Sequence, residues 1–271
     1  MVRFHRAVPT EHLRLLVFDL DGTLIDSSKD LCNSVNATLE YFGLRTLSDA
    51  RIASFIGDGA GMLIRRALLE PGELPDRLVN DEDFHREALE YFLSWYRAHK
   101  LDYTRAYDGV MESLAAMAAQ ADCPAMAVLT NKPVGPARAI CDGLGLTPYF
   151  PLILGGDSFA TKKPDPEGLL HVMASLGAEP ETTLMIGDSE VDVQTARNAG
   201  AWSMGCGFGL APERMREAAP DIEVDDAAEW AQALRIATPQ LPSASAQAQQ
   251  EMREPVGGGA AGAVESAADG G

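Results

Sequence analysis

The residues able to do chemistry in this chain follow short apolar runs. After Leu15–Phe18 come Asp19, Leu20, Asp21, Gly22 and Thr23; after Met126–Leu129 come Thr130, Asn131 and Lys132. After Leu152–Leu154 come Gly155, Gly156 and Asp157, then Thr161, Lys162, Lys163 and Pro164; after Leu184–Ile186 come Gly187, Asp188 and Ser189, with Asp192 one helical turn on. Short continuous apolar runs suit buried parallel strands. Open parallel sheets bind ligands beyond the carboxyl ends of their strands. Carboxylates, a hydroxyl and an ammonium are therefore expected at one sheet edge. Taken singly, Asp19, Asp188 or Thr130 reads equally well as a helix cap, and Lys163 as a solvated lysine. Capping does not account for the ordered set at four strand ends.

As a set these residues have a chemistry. Carboxylates sharing a pocket repel one another unless a cation sits among them, and oxygen ligands suit Mg²⁺. A metal with Thr130 and Lys163 makes a site for a phosphoryl group. Asp19 is the expected nucleophile, forming an aspartyl phosphate. Asp21 points to the same side of an extended chain; it is expected to protonate the leaving oxygen and then deprotonate the attacking water. A carboxyl with a pKa of about 3.9 is a poor acid near neutrality. The Asp21 side chain is therefore expected to avoid the metal and to be held up by acidic neighbours. Phosphate monoesters need accelerations of up to about 10²¹, and general acid catalysis supplies about 10²–10⁴. Covalent attack, a metal and fixed positive charge must therefore act together.

Helical patterns at Val110–Gln120, Gly135–Gly143, Pro166–Leu176, Val191–Ala199 and Ala227–Ile236 alternate with the apolar runs, to which Trp202–Met204 adds a weaker one. This alternation predicts an α/β fold: a Rossmann-like parallel sheet with helices on both faces. From 28 to 105 no strand pattern occurs. Leu31, Val35, Leu39 and Phe42 keep a helical stripe, as do Met62, Arg66 and Leu69, and then Phe84, Ala88, Tyr91 and Trp95. The expected organisation is a discontinuous core, 11–27 and 106–237, interrupted by an all-helical module, 28–105. The segment 238–271 is rich in Gly, Ala and Ser and reads as a disordered tail.

Composition bounds the partners. The chain has 271 residues, with 40 acidic against 22 basic side chains and a net charge of −18. No basic footprint is left for a standing nucleic-acid or anionic-membrane partner. No apolar run approaches the ~20 residues of a membrane span. The start MVRFHRAVPT has no secretory apolar region, so a cytoplasmic protein, monomeric or homodimeric, is expected. Cys32, Cys123, Cys141 and Cys206 show no disulfide or zinc spacing. Lysine occurs only at Lys29, Lys100, Lys132, Lys162 and Lys163, which makes these positions informative.

The ordered motifs resemble those of the haloacid dehalogenase superfamily. DLDGTLIDS (Asp19–Ser27) resembles its first motif, Thr130 its second, Lys163 in KKPDP its third and GDSEVD (Gly187–Asp192) its fourth. The helical insertion is similar to the superfamily's C1 cap. The resemblance implies Mg²⁺ held by the carboxylates of Asp19 and Asp188 and the backbone carbonyl of Asp21. Asp192 would stand behind them, and Asn131 would assist the phosphate. Within the superfamily, the segment Phe55–Gly61 with Arg65–Leu68, LTNKP (Leu129–Pro133), Gly155–Ser158 and KPDPEGL (Lys163–Leu169) resembles the bacterial phosphoglycolate phosphatases. Asp58 stands where Asn is commoner in that family, and Gly205–Gly209 departs from its usual turn.

What this implies is hydrolysis of a small phosphorylated metabolite, 2-phosphoglycolate, with Gly57, Asp58 and Gly59 lining the substrate end of a closing site. Three alternatives stand beside it: a sugar phosphatase, a sugar phosphomutase, and a non-enzymatic phospho-acceptor signalling domain. Phosphonate cleavage through a cap lysine is disfavoured, because Asp30–His99 contains no lysine. Asp26 reads as a solvated helix start, and Asp157 and Ser158 as a cap or turn. His85, His99 and His171 read as surface or helix-face residues. Tyr91, Phe92, Trp95 and Tyr96 read as core of the helical module.

Overall fold

A computed structural model describes residues 1–70, 74 and 76–235; the expected tail, 238–271, lies outside them. The strands in chain order are β1 (Arg3–Phe4), β2 (Leu15–Phe18), β3 (Ile25–Asp26), β4 (Arg105–Ala106), β5 (Ala125–Leu129), β6 (Leu152–Leu154), β7 (Thr183–Gly187), β8 (Trp202–Cys206) and β9 (Ile222–Val224). Between β3 and β4 lie α1 (Ser28–Tyr41), α2 (Asp49–Ala53), α3 (Ala60–Leu69), α4 (Asp76–Val79) and α5 (Glu82–His99). The later helices are α6 (Val110–Ala118), α7 (Val134–Gly143), α8 (Glu167–Leu176), α9 (Glu190–Ala199), α10 (Pro212–Glu217) and α11 (Glu229–Ala233).

Seven strands form one sheet in the order β1-β9-β8-β7-β2-β5-β6, parallel except for β1. The central strand β2 has no solvent-exposed residue. Its side chains alternate between two cores, as the period of two requires. Leu15 and Val17 meet Leu169, Val172 and Met173 of α8 and Ala196 and Ala199 of α9. Leu16 and Phe18 meet Leu114 and Met117 of α6, Ile140 of α7 and Trp230 of α11. Helices thus cover both faces, and the second core runs on into Leu31, Val35, Ile52, Leu63 and Phe92 of the helical segment.

The chain leaves β2 to one side for β5 and β6, then crosses to the other for β7, β8 and β9. The ends of β2, β5 and β7 therefore flank the point where the winding reverses, which is where open α/β sheets form their binding crevice.

The helical segment is tied at both ends. β3 pairs antiparallel with β4, Ile25 opposite Ala106 and Asp26 opposite Arg105. Asp26 accepts hydrogen bonds from the Ser28 backbone (3.2 Å) and hydroxyl (2.6 Å) and so starts α1. Asp30, 1% exposed, accepts from the Tyr103 N–H, the Thr104 N–H (2.8 Å) and the Thr104 hydroxyl (2.7 Å). A buried carboxylate needs such partners, so Asp30 holds the outgoing and returning chain together.

Some expectations are corrected. His85, expected on the surface or a helix face, lies on a helix, α5, and is buried there, its Nε2 3.1 Å from the Val79 carbonyl. The aromatic group divides: Phe92 and Tyr96 are buried, while Tyr91 and Trp95 lie in an outer stack with Tyr41. Strand β1 lies ahead of residue 11, the expected start of the core, held by polar contacts rather than an apolar run. Among the described residues all four cysteines are free, and no helix is long and apolar enough to cross a membrane.

Glu223 of β9 shows what those polar contacts do. Burial pushes its carboxyl up, but hydrogen bonds from Arg3 (2.7 Å) and Arg216 (2.7 Å) outweigh this and hold it at about 2 rather than 4.5. A depressed folded-state pKa contributes stability that is complete above the ordinary value and lost as pH falls through the folded one. Denaturant melts across pH should therefore show part of the wild-type stability draining away between about 4.5 and about 2. Glu223→Gln should be less stable at neutral pH and lose less across that window. An unchanged slope would remove Glu223 from the account.

Candidate active site

Asp19 follows β2, its N–H bonded to the Ile186 carbonyl of β7 (2.8 Å). Thr130 follows β5, its N–H bonded to the Leu154 carbonyl of β6 (3.1 Å). Asp188 follows β7, and Asp192 lies in the first turn of α9. Lys163 enters from the loop between β6 and α8. All five are buried.

Lys163 links the carboxylates. Its Nζ is 2.8 Å from Asp19 Oδ1 and hydrogen-bonds Asp192 Oδ1 at 2.6 Å. The contact to Asp19 is a close, buried ion pair. Asp192 is fully engaged: its Oδ2 accepts from the Ser189 hydroxyl (2.6 Å) and N–H (3.2 Å). Asp188 Oδ2 accepts the Leu210 N–H at 2.6 Å. Carboxylate oxygens of Asp19, Asp188 and Asp192 lie within 4.8 Å of one another.

Three buried carboxylates thus face one buried ammonium, an excess of two negative charges. Burial, then Asp192 and Asp19, drive the Asp188 carboxyl well above its ordinary value. Burial likewise pushes Asp19 up to about 6, against the pull of Lys163. A divalent cation matches the excess. The carboxylates still open to it are Asp19 and Asp188, because Asp192 is occupied by Lys163 and Ser189. The backbone is pressed close around Asp188. A Cβ on Gly22, at φ +87°, would lie 2.2 Å from Asp188 Oδ2, and one on Gly209 2.5 Å from the same atom. Glycine at both positions gives the carboxylate its room.

Asp21 is held differently. Both its oxygens are 2.8 Å from Lys132 Nζ, and the Ser27 hydroxyl donates to Oδ1. The expected acidic neighbour is replaced by a cation. Lys132 lies 4.9 Å from the centre of the Tyr96 ring of α5, so this pair sits where the helical segment meets the sheet.

A cavity of about 60 Å³ opens above these groups, room for a few waters or one small molecule. Asp19, Asp21, Thr130, Asn131, Lys132 and Asp188 line its floor; Ile56, Gly57, Gly59, Ala60, Leu63, Phe92, Leu93 and Tyr96 line the side contributed by the helical segment. Asn131 bridges the two, its Nδ2 3.2 Å from the Gly57 carbonyl and 3.1 Å from that of Lys163.

Of the residues singled out in the sequence, Asp19, Thr130, Lys163, Asp188 and Asp192 converge; Asp21, Asn131, Gly57 and Gly59 border the same cavity. Asp58 does not join them, since its side chain pairs with Arg66 at 2.5 Å. Asp157 accepts the Val134 N–H (2.7 Å) and starts α7. Sequence reasoning assigned no site role to Ser27, Lys132, Tyr96 or the Leu210 N–H. Only Lys132 carried a signal, as a scarce lysine two residues past Thr130.

Comparison with known proteins agrees with this geometry. Residues 16–206 match the family model described as haloacid dehalogenase-like hydrolase. The chain is 38% identical over 201 residues to a phosphoglycolate phosphatase of Chromobacterium violaceum, covering 74% of this chain and 88% of the relative. It is also 38% identical over 221 residues to one from Agrobacterium fabrum, covering 81% and 91%. Among solved structures, a predicted phosphoglycolate phosphatase from Haemophilus somnus superposes with a TM-score of 0.75 at 30% identity, covering 82% of this chain and 98% of the other. From its matched length, its identity to these relatives and the shared architecture, the chain belongs to the haloacid dehalogenase-like hydrolases.

Proposed function

We propose that the chain is a Mg²⁺-dependent phosphomonoester hydrolase that works through an aspartyl phosphate on Asp19 and converts 2-phosphoglycolate to glycolate and phosphate. The observation that carries this reading is the buried Asp19 carboxylate, paired with Lys163 and close to Asp188 at the floor of a small cavity. The substrate follows the names of the relatives and the size of that cavity.

Asp19, Asp188 and the Asp21 carbonyl would hold Mg²⁺, with Asp192 fixing Lys163 behind them. When bound, the ion supplies positive charge to the phosphoryl oxygens. The chain's own groups do the rest. Thr130, Asn131 and Lys163 hold the phosphoryl group. An Asp19 oxygen attacks phosphorus as the bond to the glycolate oxygen breaks, and Asp21 gives that oxygen its proton. Asp21 then takes a proton from water, whose oxygen attacks phosphorus; the bond to Asp19 breaks and phosphate leaves. Residues 28–105 serve as a cap over the core formed by 11–27 and 106–237. Gly57 and Gly59 close against Asn131 and exclude water.

Two outcomes are expected. Asp19→Asn should lower phosphate release by at least about 10³-fold. Asp21→Asn should lower it by about 10²–10⁴-fold and leave a phosphoryl adduct on Asp19, read by mass spectrometry after acid quenching. Full activity in Asp19→Asn would refute the covalent route, and sugar phosphate isomerised without phosphate release would make the chain a mutase. Separately, Mg²⁺ at 100 times its Kd should stabilise the wild type by about 2.7 kcal/mol, read as a rise in Tm. Asp188→Asn should melt higher than wild type without metal, because like-charge repulsion is relieved, and should not respond to Mg²⁺. A Mg²⁺ response retained in that variant would count against the metal assignment.

A further inference from the structure

Lys132 has no part in the chemistry above, yet it is buried and lines the cavity. Among the described residues that line it, Lys132 is the single cation. Of the other basic groups nearby, Lys163 is paired with Asp19 and Asp192 on the phosphoryl side and Arg66 with Asp58, while Lys162 is not part of the lining, though its Nζ comes within 3.6 Å of where a Cβ on Gly59 would stand. The facing wall, which the helical segment contributes, is apolar at Ile56, Ala60, Leu63, Phe92 and Leu93. Such a wall cannot compensate a second negative charge on the substrate, and leaving one uncompensated is costly.

The position of Lys132 places it on the leaving-group side. It contacts both oxygens of Asp21, the group facing the leaving oxygen, whereas Lys163 contacts Asp19, the group facing phosphorus. Its ammonium also lies against Tyr96 of the helical segment, at the seam that a bound molecule would fill. An ammonium on a flexible stem can exchange one carboxylate for another with little rearrangement.

We propose that Lys132 is the specificity-determining residue of this site: it binds the carboxylate of the substrate, partly exchanging Asp21 for it, and selects phosphomonoesters whose leaving group carries a negative charge one carbon from the ester. This rests on the reading of the chain as a 2-phosphoglycolate hydrolase and adds the group that recognises the acid.

The test compares kcat/KM on three substrates of similar size but different charge: 2-phosphoglycolate (negative), 2-hydroxyethyl phosphate (neutral) and phosphoethanolamine (positive). The wild-type chain should prefer them in that order, with about 10- to 100-fold between the first two, the range of a charge-assisted hydrogen bond. Lys132→Met should erase the order, mainly by raising KM for 2-phosphoglycolate. Lys132→Arg, which keeps the charge, should retain it in part. If Lys132 only braces Asp21, all three substrates fall together in Lys132→Met with the order intact, and the assignment is overturned. A wild type that hydrolyses phosphoethanolamine as well as 2-phosphoglycolate overturns it too, and that measurement needs no variant to fold. A wild type that leaves 2-phosphoglycolate intact while hydrolysing other esters refutes the substrate itself. Failure of the parent reading is thereby separated from failure of the Lys132 assignment.

Discussion

An excess of buried negative charge is the constraint around which this molecule is arranged. Asp19, Asp188 and Asp192 are gathered at adjacent strand ends with Lys163 alone among them. Taking carboxylates out of water costs several kcal/mol per ion even after relaxation, and one ammonium cannot repay three. The fold tolerates the arrangement because its parts are rigid: β2 is fully buried, Asp192 is clamped by Ser189 and Lys163, and glycines at 22 and 209 let the backbone press against Asp188. Such a cluster of carboxylates could hold a divalent cation.

The second organising feature is the seam between the sheet and the helical segment. Apolar packing is continuous across it, and polar ties stand at its ends. Asp30 binds the returning chain at Thr104, β3 and β4 pair the two linkers, and Asn131 reaches the Gly57 carbonyl above the cavity. Lys132 and Tyr96 meet at the same seam. Contents of the cavity therefore touch both parts of the molecule.

Much of this is legible in the sequence. The runs at 15–18 and 152–154 coincide with β2 and β6, because strands buried on both faces must be apolar throughout. Asp19, Thr130, Asp188 and Lys163 were identifiable because each follows such a run. What escaped was carried by short or polar elements. β1, β3, β4 and β9 have two or three residues each, too few to show a period. The cation beside Asp21 was likewise hidden. Spacing tells which side chains share an edge, but which carboxylate pairs with which ammonium depends on a loop trajectory that no periodicity encodes. The same limit applies to Asp58, whose loop was located correctly while its side chain turned to Arg66.

The claim that everything else depends on is that the carboxylate cluster is built for one divalent cation. Titration calorimetry of Mg²⁺ into the metal-free chain, near pH 6 and in two buffers of different ionisation heat, tests it most directly. Burial holds the Asp19 and Asp188 carboxyls up, so metal binding should expel protons. The account predicts one Mg²⁺ per chain with proton release that disappears in Asp188→Asn. Absence of saturable binding, or proton-neutral binding unchanged by that substitution, would contradict it.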